Sequence, residues 1–322
     1  MLQVTIDLDR VHIGERFSVS FQCTLRIPDD GRVYPLPPGL GTLPVHCVQD
    51  YTDRVPARWK EHGGVFIPMY QREALWLAFN GTFWKPNAVK IGIGKINAVS
   101  GEAWDDQLHD DPQDYLVCPD QPWLDGINAG DGFIRQFVAM PLRMGYTVEG
   151  QLTGKEEFGG IQILAFEPKL GRFPNESPPA PLWEPRRPFA EEGVATGEMG
   201  FGVGGKVNQQ VYPDPYGIDT WDPANYGGIF IHVVNSEQYR ELTGLEPPPT
   251  LISAQTYTAY RLPWFDLYDE GEGDLAAPER LAKVRTIKEE DTAQKVAPPG
   301  EDESIKVEPS QVKKLRRKRS KK

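Results

Sequence analysis

From Phe17 to Ile27 the chain alternates without a break: Phe17, Val19, Phe21, Cys23, Leu25 and Ile27 are apolar, and Ser18, Ser20, Gln22, Thr24 and Arg26 are polar. A period of two marks a strand with one face in a core and the other outside it, the pattern of an antiparallel sheet. ALWLAF at 74–79 is followed by Asn80-Gly81, the dipeptide best suited to the positive φ angles of a tight hairpin turn. Val89, Ile91 and Ile93 then share one face, so the pattern predicts a hairpin closed at 80–81. After Gly94 the apolar set slips by one place to Ile96 and Ala98, which reads as a bulge. Three shorter runs, FIRQFVAM (133–140), IQILAF (161–166) and IFIHVV (229–234), are apolar on both faces and read as central strands.

Helical signals are few and short. Over 236–243, Asn235 is placed to cap, Gln238 to complete a capping-box-like pair, Val234 and Tyr239 to form a hydrophobic staple, and Gly244 to terminate. TDRVPARWKE, with Val55 and Trp59 one turn apart, and YTVEGQLTG, closed by Gly154, are two further candidates. The expected fold is therefore mainly β (or α+β), with antiparallel sheets packed as a sandwich or barrel, a few short helices and a disordered C-terminal tail. A parallel βαβ architecture is disfavoured.

The tail follows from composition. All 34 aromatic residues lie at or before Tyr268, leaving 54 residues, 269–322, with no large ring to bury. Such a segment has little to offset its ordering entropy. Within it, PERLAKVRTIKEE places Leu281, Val284 and Ile287 at spacing three, either a transient helix in solvent or a segment that docks on a partner. Residues 1–268 form the β-rich body. Its one candidate subdivision is 168–188, where seven of 21 positions are proline and strand ladders cannot continue.

Charge narrows the partners. The chain carries 46 acidic and 35 basic side chains, a formal charge of −11. Eight of the basic groups, Lys313, Lys314, Arg316, Arg317, Lys318, Arg319, Lys321 and Lys322, crowd the last ten residues, so residues 1–312 carry −19. An acidic body opposes nucleic acid, and any weak, salt-sensitive contact with nucleic acid or another anion belongs to this terminal cluster, which also fits a nuclear-import signal in a eukaryote. The longest apolar run, Ala74 to Phe79, is six residues, and a membrane-spanning helix needs about 20. No membrane span is expected, and the location read from these features is cytoplasmic. Cys23, Cys47 and Cys118, odd in number and widely spaced, are expected to be reduced thiols.

Candidate chemistry is scattered. Gly200 to Lys206 fits GxxxxGK, the phosphate-cradling loop, but Val207 stands where a magnesium-holding hydroxyl is required and no helix can follow. The segment reads instead as a glycine-rich loop or hairpin whose amides, with Lys206, could receive another anion. WDDQLHDDPQD surrounds His109 with Asp105, Asp106, Asp110, Asp111 and Asp114, but the spacing is not that of a calcium loop, so it reads as a solvated, extended loop and no metal is assigned. Tryptophan precedes a carboxylate by one or two places at Trp104-Asp105, Trp123-Leu-Asp125, Trp221-Asp222 and Trp264-Phe-Asp266. Indole faces beside carboxylates suit polar rings such as sugars, although a Trp anchoring a loop while an Asp opens a turn explains the pairs more simply. Arg135, inside an apolar strand, needs a partner, for which an internal salt bridge is expected. No cofactor is implied, and no nucleophile elbow occurs.

Taken together, DYLVCPDQPWLDGI, FIRQFVAMPL, GYTVEGQLTG, GGIQILAF, VYPDPYGIDTWD and LPWFD resemble a family of uncharacterised proteins from bacteria and fungi, over roughly residues 1–268. The resemblance implies a compact β-rich domain and carries no activity, cofactor or catalytic residue with it. The expectation from the residues is a non-catalytic protein that holds a small polar ligand or a protein partner through loops around 104–131 and 200–226. Trp104, Asp105, His109, Trp123, Asp125, Asp131, Arg135, Lys206, Trp221 and Asp222 are the candidate contacts. Two alternatives stand beside it. One is a hydrolase of a polar or sugar-like substrate drawing on Asp105, Asp106, His109, Asp125 and Asp131; the other is nucleic-acid association through 313–322.

Overall fold

A computed structural model of the chain describes residues 1–7, 9–176, 198–249, 252–267, 273–297 and 300–315. The strands are β1 (Val4–Asp7), β2 (Arg10–Ile13), β3 (Phe17–Thr24), β4 (Val33–Tyr34), β5 (Gly39–Thr42), β6 (His46–Cys47) and β7 (Val65–Pro68). Next come β8 (Ala74–Asn80), β9 (Asn87–Ile93), β10 (Ile96–Asn97), β11 (Leu116–Cys118), β12 (Trp123–Leu124), β13 (Gly126–Asn128) and β14 (Phe133–Pro141). Last are β15 (Ile161–Pro168), β16 (Glu198–Asn208), β17 (Trp221–Val234), β18 (Trp264–Leu267) and β19 (Val312–Leu315). Helices α1 (Ala57–His62), α2 (Val148–Thr153) and α3 (Ser236–Thr243) fall on the three predicted segments, followed by α4 (Ala254–Ala259), α5 (Glu279–Ala282) and α6 (Ile287–Gln294). Asn235 accepts the Gln238 N–H as the cap of α3, and Gly244 ends it in the left-handed region.

The fold is mainly β and sandwich-like. One layer runs β2, β3, β8, β14, β16 and the other β17, β15, β9, β11, these strands pairing antiparallel, while β4 on β16 and β7 on β17 add short parallel pairings. The layers join where the first residues of β16 meet the last of β17, and again where β11 on β9 leads into β12 on β8. Alternate side chains then meet in a core that includes Phe21, Leu77, Ile91, Phe137, Ile163, Phe201 and Ile231. Because β14 pairs β16 and β15 pairs β17, strands before and after the proline-rich stretch share both layers, so that stretch does not separate two sheets. The part of it from 177 onward lies outside the described residues.

Two turn readings are corrected. β8 and β9 do not pair with each other: β8 pairs β3, β12 and β14, while β9 pairs β10, β11 and β15. Asn80-Gly81 therefore starts a crossing between layers and closes no hairpin. The tight hairpin sits one strand later, where Ile93 pairs Ile96 around Gly94 (φ 57°) and Lys95 (φ 62°). Both central residues have positive φ, as a type I′ turn requires, and the slip in the apolar pattern marks this turn and no bulge.

The segment read as a glycine-rich loop is the long strand β16, its amides engaged in the ladder with β14 and not free to cradle an anion. Its glycines answer to close packing. A Cβ on Gly202 would stand 2.8 Å from the Tyr146 carbonyl and 3.0 Å from Ile287 Cγ1.

Ile287 belongs to the expected tail, which needs the largest correction. Residues 273–297 and 300–315 pack on the body: Leu281, Val284 and Ile287 are 0%, 2% and 1% exposed. The stripe at spacing three does dock, on the chain's own body, as two separate short helices. Arg135 donates to the carbonyls of Leu281 and Val284, so its partner is the open end of α5 in place of a carboxylate. Asp291 binds Arg72 (2.6 and 3.0 Å) and the Tyr146 hydroxyl (2.8 Å), and Asp302 binds Arg26 (3.0 Å). Beyond them β19 pairs in parallel with β18. Aromatic content missed this because the segment brings aliphatic side chains and carboxylates to cations and a tyrosine already on the body. Residues 316–322 lie outside the described residues.

Candidate functional site

On β9, β15 and β17 the odd residues Ile91, Ile163 and Ile231 fill the core, so the even ones form the outer face. The register lines them up in rows: Phe230, Gln162, Gly92 in one and Gly228, Leu164, Lys90 in the next. Two of the six are glycine, and the space a side chain would take there is filled by the Trp104 ring over Gly92 and by Leu164 over Gly228. Trp104 forms one wall. Its amide donates to the Lys95 carbonyl at 3.0 Å, and its ring lies so close over Gly92 that a Cβ there would stand 2.5 Å from Trp104 Cε3. Its Nε1 donates to Asp106 Oδ1 at 3.2 Å.

The facing wall is an aromatic stack. Phe230 lies parallel to His62 (centroids 4.9 Å, 3°) and against His232 (4.4 Å), which in turn stacks on Trp59 (4.4 Å). His232 is buried with Nε2 at the Gly63 carbonyl, and burial pushes its pKa down to about 3, so it is a neutral part of the wall. Burial and then the Lys95 charge also lower that of His62. Phe230 and Gly92 stand two strand spacings apart, about 10 Å between backbones, with Gln162 between them in the row. The groove encloses about 550 Å³, with Ile6, Cys47, Gln49 and Tyr226 on its rim. That volume lies within the usual range of small-molecule sites, roughly 300–1,000 Å³.

Behind Trp104 lies the acidic stretch, an exposed loop that is pinned at Asp105 and Asp114. Lys90, 1% exposed, places Nζ 2.7 Å from Asp105 Oδ1 and 2.7 Å from Asp114 Oδ2, and also donates to the Gln107 carbonyl. His109 Nδ1 lies 2.9 Å from Asp114 Oδ2, and its Nε2 3.5 Å from Asp105 Oδ2. Burial raises the Asp105 pKa, but the Lys90 hydrogen bond and charge outweigh it and the net shift is downward. Asp105, His109 and Asp114 offer ligand atoms within 4.8 Å of one another, the spacing of a metal site. The Lys90 ammonium already sits against both carboxylates, so the chain supplies its own cation there. The cluster reads as a clasp that fixes the loop carrying Trp104. Lys90 could not be read from the sequence, since it lies fifteen residues upstream on a strand whose register was unknown.

The other candidate residues are dispersed. Trp123 is half-buried, edge-on to Trp76 at 6.2 Å. Asp125 and Trp221 are each 2% exposed and belong to the interior. Trp221 Nε1 donates to Asp214, which also receives the Tyr115 hydroxyl. Asp131 sits exposed at the tip between β13 and β14 (φ 54°), and Asp222, near the start of β17, accepts the Ala224 N–H. Lys206 lies 4.8 Å over the Phe133 ring. Of the five groups a hydrolase would draw on, Asp105 and His109 approach each other, but on an exposed loop neutralised by lysine, and Asp125 and Asp131 lie on the other layer. Lys313 and Lys314 are exposed on β19. Among the described residues, no helix is long and apolar enough to cross a membrane.

The sequence reading found Trp104 but missed Gly92, Phe230, His62 and Lys95, which meet only through strand register. Comparisons with protein-family models, curated proteins and solved structures return no match.

Proposed function

We propose that the protein is a non-catalytic binding protein that holds a small polar, ring-containing ligand in the groove between Trp104 and Phe230. The observation that carries this reading is a groove of about 550 Å³ lined by the partly exposed Trp104 indole on one side and by the Phe230–His62 stack on the other. Aromatic walls suit stacking on a ring, and Asp106, His62 and Gln49 in the lining supply hydrogen bonds to its substituents. Cys47 and His62 both line the groove, but among the described residues no hydrogen bond pairs that thiol with a base, which favours binding over turnover.

Isothermal titration with a panel of monosaccharides, nucleosides and simple aromatic rings tests it. Trp104→Ala should weaken the ligands that bind by about tenfold, roughly 1.4 kcal/mol, with the far-ultraviolet spectrum unchanged. Trp104→Phe should restore part of the loss. If affinity is the same in all three proteins, or if none of the panel binds at millimolar concentration, the groove is not a ring site.

A further inference from the structure

We infer that the ring held in this groove carries a carboxylate, received by the ammonium of Lys95. This rests on the ring-binding reading above and adds the ligand's charge class to it.

Lys95 is set at the end of the groove by its own backbone. It occupies the second position of the Gly94-Lys95 turn with φ 62°, its N–H donates to Gln162 Oε1 at 2.7 Å, and its carbonyl accepts the Trp104 N–H at 3.0 Å. The residue that carries the charge is therefore tied to both the floor and the Trp104 wall. Its ammonium makes no ion pair among the described residues and lies 5.8 Å from the centre of the Phe158 ring.

The charged neighbours are occupied elsewhere. Glu149 spends its carboxylate on the N–H groups of Glu157, Phe158 and Gly159 at 2.8–2.9 Å. Arg58 is paired with Glu198, and Asp106 accepts from Trp104 Nε1. His62, next along the wall, is held toward its neutral form. Lys95 thus brings to the groove a positive charge without an ion pair among the described residues, while Asp106, hydrogen-bonded to the neutral Trp104 indole, keeps its negative charge at the Trp104 wall. The complement is a ring bearing one carboxylate, because Lys95 is the basic side chain among the described residues that line the groove. Sugar acids and aromatic acids share this chemistry.

Two matched pairs separate charge from ring: glucuronate against glucose, and benzoate against benzyl alcohol. Titrated into the full chain, the acid of at least one pair should bind about tenfold tighter than its neutral partner, and which pair responds tells a sugar acid from an aromatic acid. Lys95→Met should abolish that ratio without weakening the neutral compound, Lys95→Arg should keep it, and raising salt from 50 to 500 mM should weaken the acid alone. If the acids bind no tighter than the neutral rings, or Lys95→Met leaves the ratio intact, while Trp104→Ala still weakens binding, the carboxylate assignment falls and the ring site stands. If Trp104→Ala changes nothing for either pair, the ring site itself falls, and this inference with it.

Discussion

Asp291→Ala should lower the unfolding free energy by about 3–5 kcal/mol, the usual cost of removing one partner from a buried ion pair. Asp291 is fully buried and is the only carboxylate among the described hydrogen bonds that ties both Arg72 and Tyr146 to the C-terminal segment. Its loss leaves a guanidinium that is 14% exposed without that partner, at the place where Ile287 presses on Gly202. Burial raises the pKa of Asp291, but the hydrogen bonds from Arg72 and Tyr146 and the Arg72 charge outweigh it, so its net shift is downward. A carboxyl depressed in the folded state contributes stability that is present above its unfolded pKa, about 3.9, and lost as pH falls through the folded value. Wild type should accordingly lose part of its advantage over the variant below about pH 4. Urea unfolding at pH 7 and pH 3 measures both effects. A deficit under 1 kcal/mol at pH 7 would show that Asp291 does not fasten the segment.

Asp125 should behave in the opposite sense. It is enclosed between β12 and β13 with Oδ2 unpartnered, and burial pushes its pKa up to about 7, against a smaller lowering by a hydrogen bond from Trp123. A carboxyl whose folded pKa is raised stabilises the fold fully below the unfolded pKa, and that contribution fades as pH rises through the folded one. Stability should therefore decline between about pH 4 and pH 7 and level off above. Asp125→Asn replaces the protonated acid by a neutral group of the same shape. It should remove the decline and leave the variant more stable at pH 8, by on the order of 4 kcal/mol from the size of the shift. Equal pH dependence of the thermal midpoint in the two proteins would place the Asp125 carboxyl in an ordinary, hydrated state.

A smaller effect checks the clasp. Lys90→Met should leave the sheet intact but loosen the 104–114 loop, because Asp105 and Asp114 then face each other and His109 without a fixed cation. Faster amide exchange confined to that loop is the expected result. Protection equal to wild type would mean that Lys90 does not hold it.

Alternation along 17–27 and the apolar runs at 133–140, 161–166 and 229–234 were enough to read strands, because a period of two is a local property of the pleat. The polar face of 17–27, expected outside the core, is nevertheless buried too, with Ser18, Ser20, Thr24 and Arg26 at 4%, 2%, 1% and 8% exposed. The same holds for the helix at 236–243, whose cap, staple and glycine stop all lie within eleven residues. Glycine misled the reading twice. Asn80-Gly81 has the composition of a hairpin turn, yet the neighbours of β8 and β9 come from elsewhere in the chain. The glycines of 200–205 look like a loop until Ile287 and Tyr146 are seen to press on Gly202.

Of the site, Trp104, Asp105 and His109 were visible as residue types in a turn-rich stretch, whereas what each touches was not. Lys90 meets Asp114 across 24 residues, and Phe230 faces Gly92 across 138, separations that local sequence pattern does not encode. By itself the sequence determined the strands at 17–27, 133–140, 161–166 and 229–234 and the helix at 236–243, since those follow from hydrophobic period and capping within one turn or strand. Only the tertiary structure decided which strands lie side by side, and with that where the groove opens, which cation closes the acidic loop, and that the C-terminal segment is bound. Register is set by the sum of many distant contacts, and no short stretch of chain contains it.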